Sequence, residues 1–104
     1  TMKRIYEIMI EKKADLKKIL EDDPYGLFSF AKNGYKLRDG DVIGEDKNKC
    51  YLYLVSEEEK FFEFAKKKLS GIGNEANVEV ARRVAEKIEN EETSAEIGMG
   101  TIFG

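Results

Sequence analysis

The chain has 104 residues, a formal net charge of −3 and 38% charged residues, most of them lysine and glutamate. It contains no histidine, tryptophan or glutamine, and its single cysteine is Cys50. Catalysis by a nucleophile paired with histidine, metal sites built on histidine and thiolate clusters are therefore excluded. The abundance of lysine and glutamate is typical of hyperthermophile proteins. The acidic balance argues against a dedicated nucleic-acid-binding protein.

The length of the chain suffices for one hydrophobic core, so we expect a single domain over residues 2–104. A lone cysteine forms no disulfide within the chain, which favours a reducing, cytoplasmic setting. No apolar run approaches the length of a membrane span, so we expect no membrane association through such a span. No motif points to a cofactor.

The first predicted elements are a strand and a helix. Residues 5–10 are mostly apolar with β-branched isoleucines, which predicts a strand. Residues 13–20 carry leucine and isoleucine at helical spacing, which predicts a helix. We expect this helix to end within residues 22–26, because the residue before Pro24 disfavours the α conformation.

The dipeptide Asn33-Gly34 gives the strongest local signal in the sequence. It lies between two β-rich runs, residues 28–32 and 35–37. Because Asn-Gly supplies the positive φ angles of a type I′ turn, the pattern predicts a two-residue β-hairpin. The register of that hairpin would place three apolar side chains on one core face: Phe28, Phe30 and Leu37.

The middle of the chain predicts two further strands. After the turn signal Asp39-Gly40, residues 41–43 predict a short strand. Residues 50–55 form the strongest strand pattern and are apolar on both faces, which indicates a central position in the sheet.

Two helices are predicted in the second half. Ser56 and Glu59 have the spacing of a capping box, so we expect a helix with Ser56 as its N-cap and Glu59 at N3 that runs through Leu69. A last helix is predicted over residues 76–90. The order of elements indicates an α+β fold, a mainly antiparallel sheet with three helices packed on one face.

One candidate site is the segment between these helices. Gly71-Ile72-Gly73 resembles the glycine–hydrophobic–glycine loop of the helix-hairpin-helix motif. The resemblance implies that backbone amides of Gly71, Gly73 and Asn74 bind a nucleic-acid phosphate at the start of the second helix. Glu75 and Glu79 stand where phosphates would approach, and a glycine turn that merely ends a helix is the alternative.

A second candidate site is the acidic stretch over residues 39–46. Its carboxylates are Asp39, Asp41, Glu45 and Asp46. Carboxylate oxygens on two adjacent turns are suitable ligands for a hard cation such as Ca²⁺. The stretch lacks the bidentate glutamate of an EF-hand, and the alternative is a pair of solvated turns.

The apolar C-terminal tail is the third feature. It contains Ile97, Met99, Ile102 and Phe103 among glycines. We expect it to pack as an edge strand or against a second subunit, because free apolar ends are costly in water. Together these signals favour a binding or assembly module over an enzyme. The apolar tail suggests a homo-oligomer, and the alternative functions are cation binding and phosphate binding.

Overall fold

A four-stranded antiparallel sheet organises the chain in a computed structural model, which describes residues 1–22 and 26–103, with side chains through residue 91. Each strand pairs antiparallel with its neighbours. The strands are β1 (Met2–Met9), β2 (Lys36–Asp39), β3 (Lys49–Ser56) and β4 (Gly73–Glu75). Their order across the open sheet is β2-β3-β1-β4.

Within the described residues, four α-helices and one 3₁₀ turn complete this small α+β domain. The 3₁₀ turn, Ile10–Lys12, joins β1 to the first helix. The helices are α1 (Lys13–Glu21), α2 (Phe30–Asn33), α3 (Glu59–Leu69) and α4 (Val78–Phe103). Among the described residues, no helix combines the length and the apolar character needed to cross a membrane. The predicted α+β class and mainly antiparallel sheet are confirmed.

Strand β3 is the central element, as its two apolar faces predicted. It pairs with β1 along its whole length, from Met2 opposite Ser56 to Met9 opposite Lys49. On its other side it pairs with β2, where Lys36 lies opposite Tyr53. Successive side chains of a strand point to opposite faces. Burial of the whole middle of β3 therefore requires cover on both sides of the sheet.

The helices divide between the two faces of the sheet. Cys50, Leu52 and Leu54 of β3 pack in a core with α1, α2 and α3. The alternate residues Tyr51 and Tyr53 pack in a second core with α4. We call these the α3 face and the α4 face.

The helix predicted over residues 76–90 was expected on the same face as the other helices. This helix, α4, instead covers the opposite face of the sheet, where its residues Val84 and Ile88 are fully buried. The physical reason is the second apolar face of β3, which would otherwise be exposed to water.

The predicted Asn33-Gly34 hairpin is not formed. Phe30–Asn33 is a single helical turn, capped by the Ser29 hydroxyl, which accepts the Lys32 amide at 3.0 Å. Gly34 ends this turn with φ 87° and ψ 150°. The three apolar residues still share one core: Phe30 is buried, and Phe28 and Leu37 pack against the same cluster. The capped helical turn thus brings these residues to one core without a hairpin.

Two smaller predictions also differ from the structure. Residues 41–43 lie in turns instead of a strand, and the strand of this region is β2. The N-cap of helix α3 is Glu58 instead of Ser56, because Ser56 is still the last residue of β3. The Ser56 hydroxyl accepts the Glu58 amide at 3.0 Å, so it bridges strand and helix and forms no capping box with Glu59.

The C-terminal tail continues helix α4 through Phe103 instead of forming an edge strand. The packing predicted for Ile97, Met99, Ile102 and Phe103 lies outside the described side chains. The helix end expected within residues 22–26 also falls partly outside the described residues, although α1 ends at Glu21 and Asp22 is already extended.

We expect Gly34→Ala to destabilise the fold by about 1–3 kcal/mol, because only glycine readily adopts its backbone angles. A β-carbon at this position would meet no atom within 4 Å, so the loss would report backbone strain alone. Urea unfolding monitored by circular dichroism measures it. Ala31→Ser, at an exposed position of the same turn, is the control and should change the free energy of unfolding by less than about 0.5 kcal/mol. Equal stabilities of the two variants would contradict the assigned backbone conformation.

Candidate functional site

The acidic stretch over residues 39–46 is held by lysine and arginine side chains of the protein itself. Asp39 pairs with Lys13 at 2.5 Å. Asp46 accepts the backbone amide of Asn48 at 2.9 Å, as in a turn. Among the described residues, no group of three or more acidic or cysteine side chains is placed to hold a metal ion. The structure therefore does not bring Asp39, Asp41, Glu45 and Asp46 together as a cation site.

Glu45 is the most constrained carboxylate of this stretch. Its side chain is only 6% exposed, and both of its oxygens accept hydrogen bonds from Arg83, at 2.6 and 2.7 Å. Lys87 donates a further bond at 2.6 Å. The hydrogen bonds from Arg83, followed by those from Lys87, lower the pKa of Glu45 from its ordinary 4.5 to about 2. Glu45 thus fastens the 40–48 loop to α4.

The loop that carries Glu45 is closed by its own backbone. The Glu45 amide donates to the Gly40 carbonyl at 2.7 Å, and the Gly40 amide donates to the Lys49 carbonyl at 2.8 Å. A β-carbon on Gly40 would collide with the Asp46 carbonyl, so the closure requires glycine there. Ile43 anchors the loop in the core of the α4 face. Ile43 in the core and Glu45 against α4 therefore hold the 40–48 loop in place.

The segment 71–74 does not form a helix-hairpin-helix. Gly71 has φ 81° and turns the chain after α3, where the Ile72 amide donates to the Leu69 carbonyl at 3.0 Å. Gly73 and Asn74 then lie in β4, so a strand separates the two helices. The start of α4 is capped by Asn77, whose side chain accepts the Val80 amide at 2.9 Å. The amides of Gly71, Gly73 and Asn74 therefore do not lie at a helix N-terminus.

Strand β4 forms one edge of the sheet and lies very close to β1. Gly73 lies opposite Ile8. A β-carbon at Gly73 would lie 2.6 Å from both the Glu7 carbonyl oxygen and the Ile8 side chain, so no larger residue fits without a shift. We call the outward side of Gly73–Glu75 the β4 edge.

A depression borders the β4 edge on each face of the sheet, and both include Gly71, Gly73 and Asn74. The first, of about 260 Å³, lies on the α4 face; we call it the lysine depression, and its other lining residues are Glu7, Met9, Lys12, Lys49 and Ile72. The second, of about 220 Å³, lies on the α3 face; we call it the tyrosine depression, and its other lining residues are Tyr6, Lys66, Ser70 and Glu75. The strand edge therefore has side-chain-sized spaces above and below it.

The alternation of side chains along β1 and β3 places the two depressions on different faces of the sheet. Tyr6 and Ile8 belong to the core of the α3 face. Glu7 and Met9 alternate with them along β1 and so point to the α4 face. Lys49 alternates with the buried Cys50 in the same way. The residues of β1 and β3 that line the two depressions therefore lie on opposite faces of the sheet.

Sequence reasoning found Gly71, Gly73 and Asn74 but missed the lysines beside them. Lys12 is in the 3₁₀ turn, and its ammonium donates to the Gly71 carbonyl at 3.2 Å. Lys49 pairs with Glu7 at 3.6 Å. Nothing in the sequence relates residues 12, 49 and 71, because only the pairing of β1 with β3 and β4 brings them to one end of the sheet.

Cys50, the one thiol, is no candidate nucleophile. It is fully buried in β3, and burial raises the pKa of its thiol. Tyr53 is likewise occupied: its hydroxyl donates to Glu89 at 2.7 Å, and burial together with this bond raises the pKa of Tyr53 to about 12. Both side chains therefore contribute to the packing of the core.

Comparisons of the chain with models of protein families, with curated proteins and with solved structures find no match.

We expect Glu45→Gln to lower the free energy of unfolding at pH 7 by roughly 2 kcal/mol, because it removes charge-assisted hydrogen bonds at a buried position. Since the folded pKa lies below the ordinary value, this contribution is complete above pH 4.5 and is lost as the pH falls towards 2. Urea unfolding at pH 7 and pH 3 measures both effects.

The control for this prediction is Glu86→Gln, which breaks an exposed ion pair with Arg82 on the same helix. It should cost less than about 0.5 kcal/mol. The difference between wild type and Glu45→Gln should shrink at pH 3. An undiminished difference at pH 3 would show that Glu45 does not act through its ionised form.

Proposed function

We propose that this chain is a binding module that captures an extended peptide segment by adding it as a further strand at the β4 edge. The observation that carries the proposal is the pair of depressions, about 260 and 220 Å³, on opposite faces of this edge. In strand addition, backbone hydrogen bonds give affinity, and spaces for alternate side chains on the two faces give specificity. The β4 edge offers both features.

The backbone of β4 supports this mode of binding. The Ala76 amide donates to the Ile5 carbonyl at 2.8 Å, so Ala76 directs its hydrogen-bonding groups towards β1. In an antiparallel pair these groups alternate along the strand. Gly73 and Glu75 therefore direct theirs away from β1, where an added strand would meet them.

The opposite edge of the sheet, β2, is a poorer candidate. Charged residues on an edge strand discourage pairing with another chain. Three of the four residues of β2 are charged, and two of them are held by ion pairs, Arg38 with Glu91 at 3.1 Å and Asp39 with Lys13 at 2.5 Å. The β4 edge instead presents Gly73 and Asn74, with one charged residue, Glu75.

The test uses the synthetic peptide Gly-Thr-Val-Thr-Val-Thr-Gly and nitrogen-15 amide spectra of the protein. We expect perturbations confined to residues 71–76 and to β1, together with slower hydrogen exchange of the Gly73 and Glu75 amides. Glu75→Pro should weaken binding at least about tenfold, because it removes an outward N–H at a position where strand edges tolerate proline.

The matched control is Glu75→Ala, which keeps the amide and removes only the carboxylate that pairs with Arg4 at 3.5 Å. It should bind the peptide within about twofold of wild type. If Glu75→Pro does not fold, the exchange rates of Gly73 and Glu75 in the wild type decide instead. Perturbations centred on β2, or none at all, would overturn the proposal.

A second candidate function is self-association through the C-terminal part of α4. The helix has 26 residues and spans about 39 Å, whereas the eight-residue β1 spans about 27 Å. Val84 and Ile88 bury the first part of the helix against the sheet. In the sequence, Ala95, Met99 and Ile102 continue the helical spacing of these apolar residues. A second copy of the chain would bury that continuation.

Truncation after Ala95 tests this second function. We expect the truncated chain to remain folded and to sediment as a monomer, while the full chain sediments as a dimer at the same concentration. The truncated chain should not dimerise because it lacks the apolar side chains whose burial between two copies would contribute about 1.5–3 kcal/mol each. An unchanged mass, or loss of folding at every concentration, would contradict self-association through this segment.

A further inference from the structure

We infer that the peptide captured at the β4 edge carries a carboxylate side chain, which enters the lysine depression and binds Lys12 and Lys49. This inference rests on the proposed function, since it names the chemistry of the segment that strand addition would take. The positions of the two ammonium groups and the charges around them support the assignment.

The β-sheet register places both lysines at the end of the sheet that holds Gly73. Lys49 lies opposite Met9, and Gly73 lies opposite Ile8 on the other side of β1. Lys12 follows Met9 in the 3₁₀ turn and reaches the Gly71 carbonyl at 3.2 Å. Strands lie about 4.8 Å apart, so a strand added beyond β4 would lie about 14 Å from β3, a span that a lysine and a glutamate side chain extended towards each other largely cover. Both lysines line the same depression.

The ammonium groups retain donors for a ligand. An ammonium has three N–H donors. Lys12 uses one on the Gly71 carbonyl. Lys49 forms an ion pair with Glu7 at 3.6 Å, which is longer than a charge-assisted hydrogen bond. Among the described residues these are the contacts of the two ammonium groups, and a carboxylate placed between the lysines would add to them.

The charge balance of the lysine depression favours an anion. Its ionisable lining residues are two lysines and one glutamate, Glu7, which leaves one positive charge in excess. The lysine depression is also partly enclosed, and the Glu7 and Lys49 side chains are 23% and 32% exposed. Reduced contact with water strengthens such an interaction relative to an open surface. The tyrosine depression, with Lys66 and Glu75, has no excess.

Strand geometry explains how one side chain of the peptide reaches this site. Alternate side chains of an added strand point to opposite faces of the sheet. A residue on the α4 face would stand over the lysine depression, and its neighbours would stand over the tyrosine depression. The preferred segment is therefore an extended peptide with a glutamate or aspartate between residues that face the other side.

The experiment compares three peptides, Gly-Thr-Val-X-Val-Thr-Gly with glutamate, glutamine or lysine at X. Isothermal titration measures their affinity for wild type, Lys12→Gln, Lys49→Gln and the double variant. We expect wild type to bind the glutamate peptide at least about tenfold more tightly than the glutamine peptide and to bind the lysine peptide most weakly. The glutamate preference should shrink in each single variant, disappear in the double variant and weaken with added salt.

Lys47→Gln is the matched control, because Lys47 is an exposed lysine of the preceding loop that does not line the lysine depression. It should keep the full preference for glutamate. Thermal melts check that each variant is folded. Where a variant fails to fold, the salt dependence of glutamate-peptide binding by the wild type is the test instead.

The outcomes separate this inference from the proposed function. Equal binding of the glutamate and glutamine peptides, or a preference that survives in the double variant, would overturn the carboxylate inference and leave strand addition standing. Failure of all three peptides to bind would overturn strand addition itself. Inorganic phosphate that perturbs Lys12 and Lys49 as strongly as the glutamate peptide does would assign a free-anion site and overturn the peptide assignment.

Discussion

The burial of strand β3 on both faces is the constraint on which the rest of the structure depends. Tyr51, Leu52, Tyr53 and Leu54 are at most 7% exposed. A strand with two apolar faces needs a hydrogen-bonded partner on each side and a helical layer above and below. The chain supplies β1 and β2 as partners, α1, α2 and α3 on one face, and α4 on the other. The short β4 is thereby left at the margin, paired only with β1.

The two cores are closed by different forces. On the α3 face the aromatic residues Phe30, Phe61 and Phe64 pack ring against ring, with centroids 5.4–6.1 Å apart. On the α4 face a narrower apolar strip is bordered by charged groups. Glu45 holds Arg83 and Lys87, and Glu89 accepts bonds from Lys3 and Tyr53. Glu45 is only 6% exposed, and ion pairs to a buried carboxylate contribute more than exposed ones, so lysine, arginine and glutamate side chains take part in docking α4.

The sequence predicted the long periodic elements, because their burial pattern is local: β1, α1, β3 and the first part of α4 lie where expected. The Asn33-Gly34 hairpin failed because Phe28 and Phe30 reach the same core from a helical turn, and Gly34 suits either geometry. Strand β4 was not predicted, because three residues are too few to show an alternating hydrophobic pattern and the strand forms only by pairing with the distant β1. The glycines of the β4 edge were found from local chemistry, whereas Lys12 and Lys49 become neighbours only through the register of β1.

The shortness of β4 bears directly on how such an edge would work. A long unprotected edge strand invites uncontrolled pairing between copies, and a very short one is a common protection against it. Three residues offer few backbone hydrogen bonds, so they would hold a peptide only weakly by themselves. Affinity would then have to come from the flanking side-chain spaces, both of which Gly73 lines without a side chain of its own to fill them. The feature that protects the edge from aggregation would thus also make its recognition depend on side-chain chemistry.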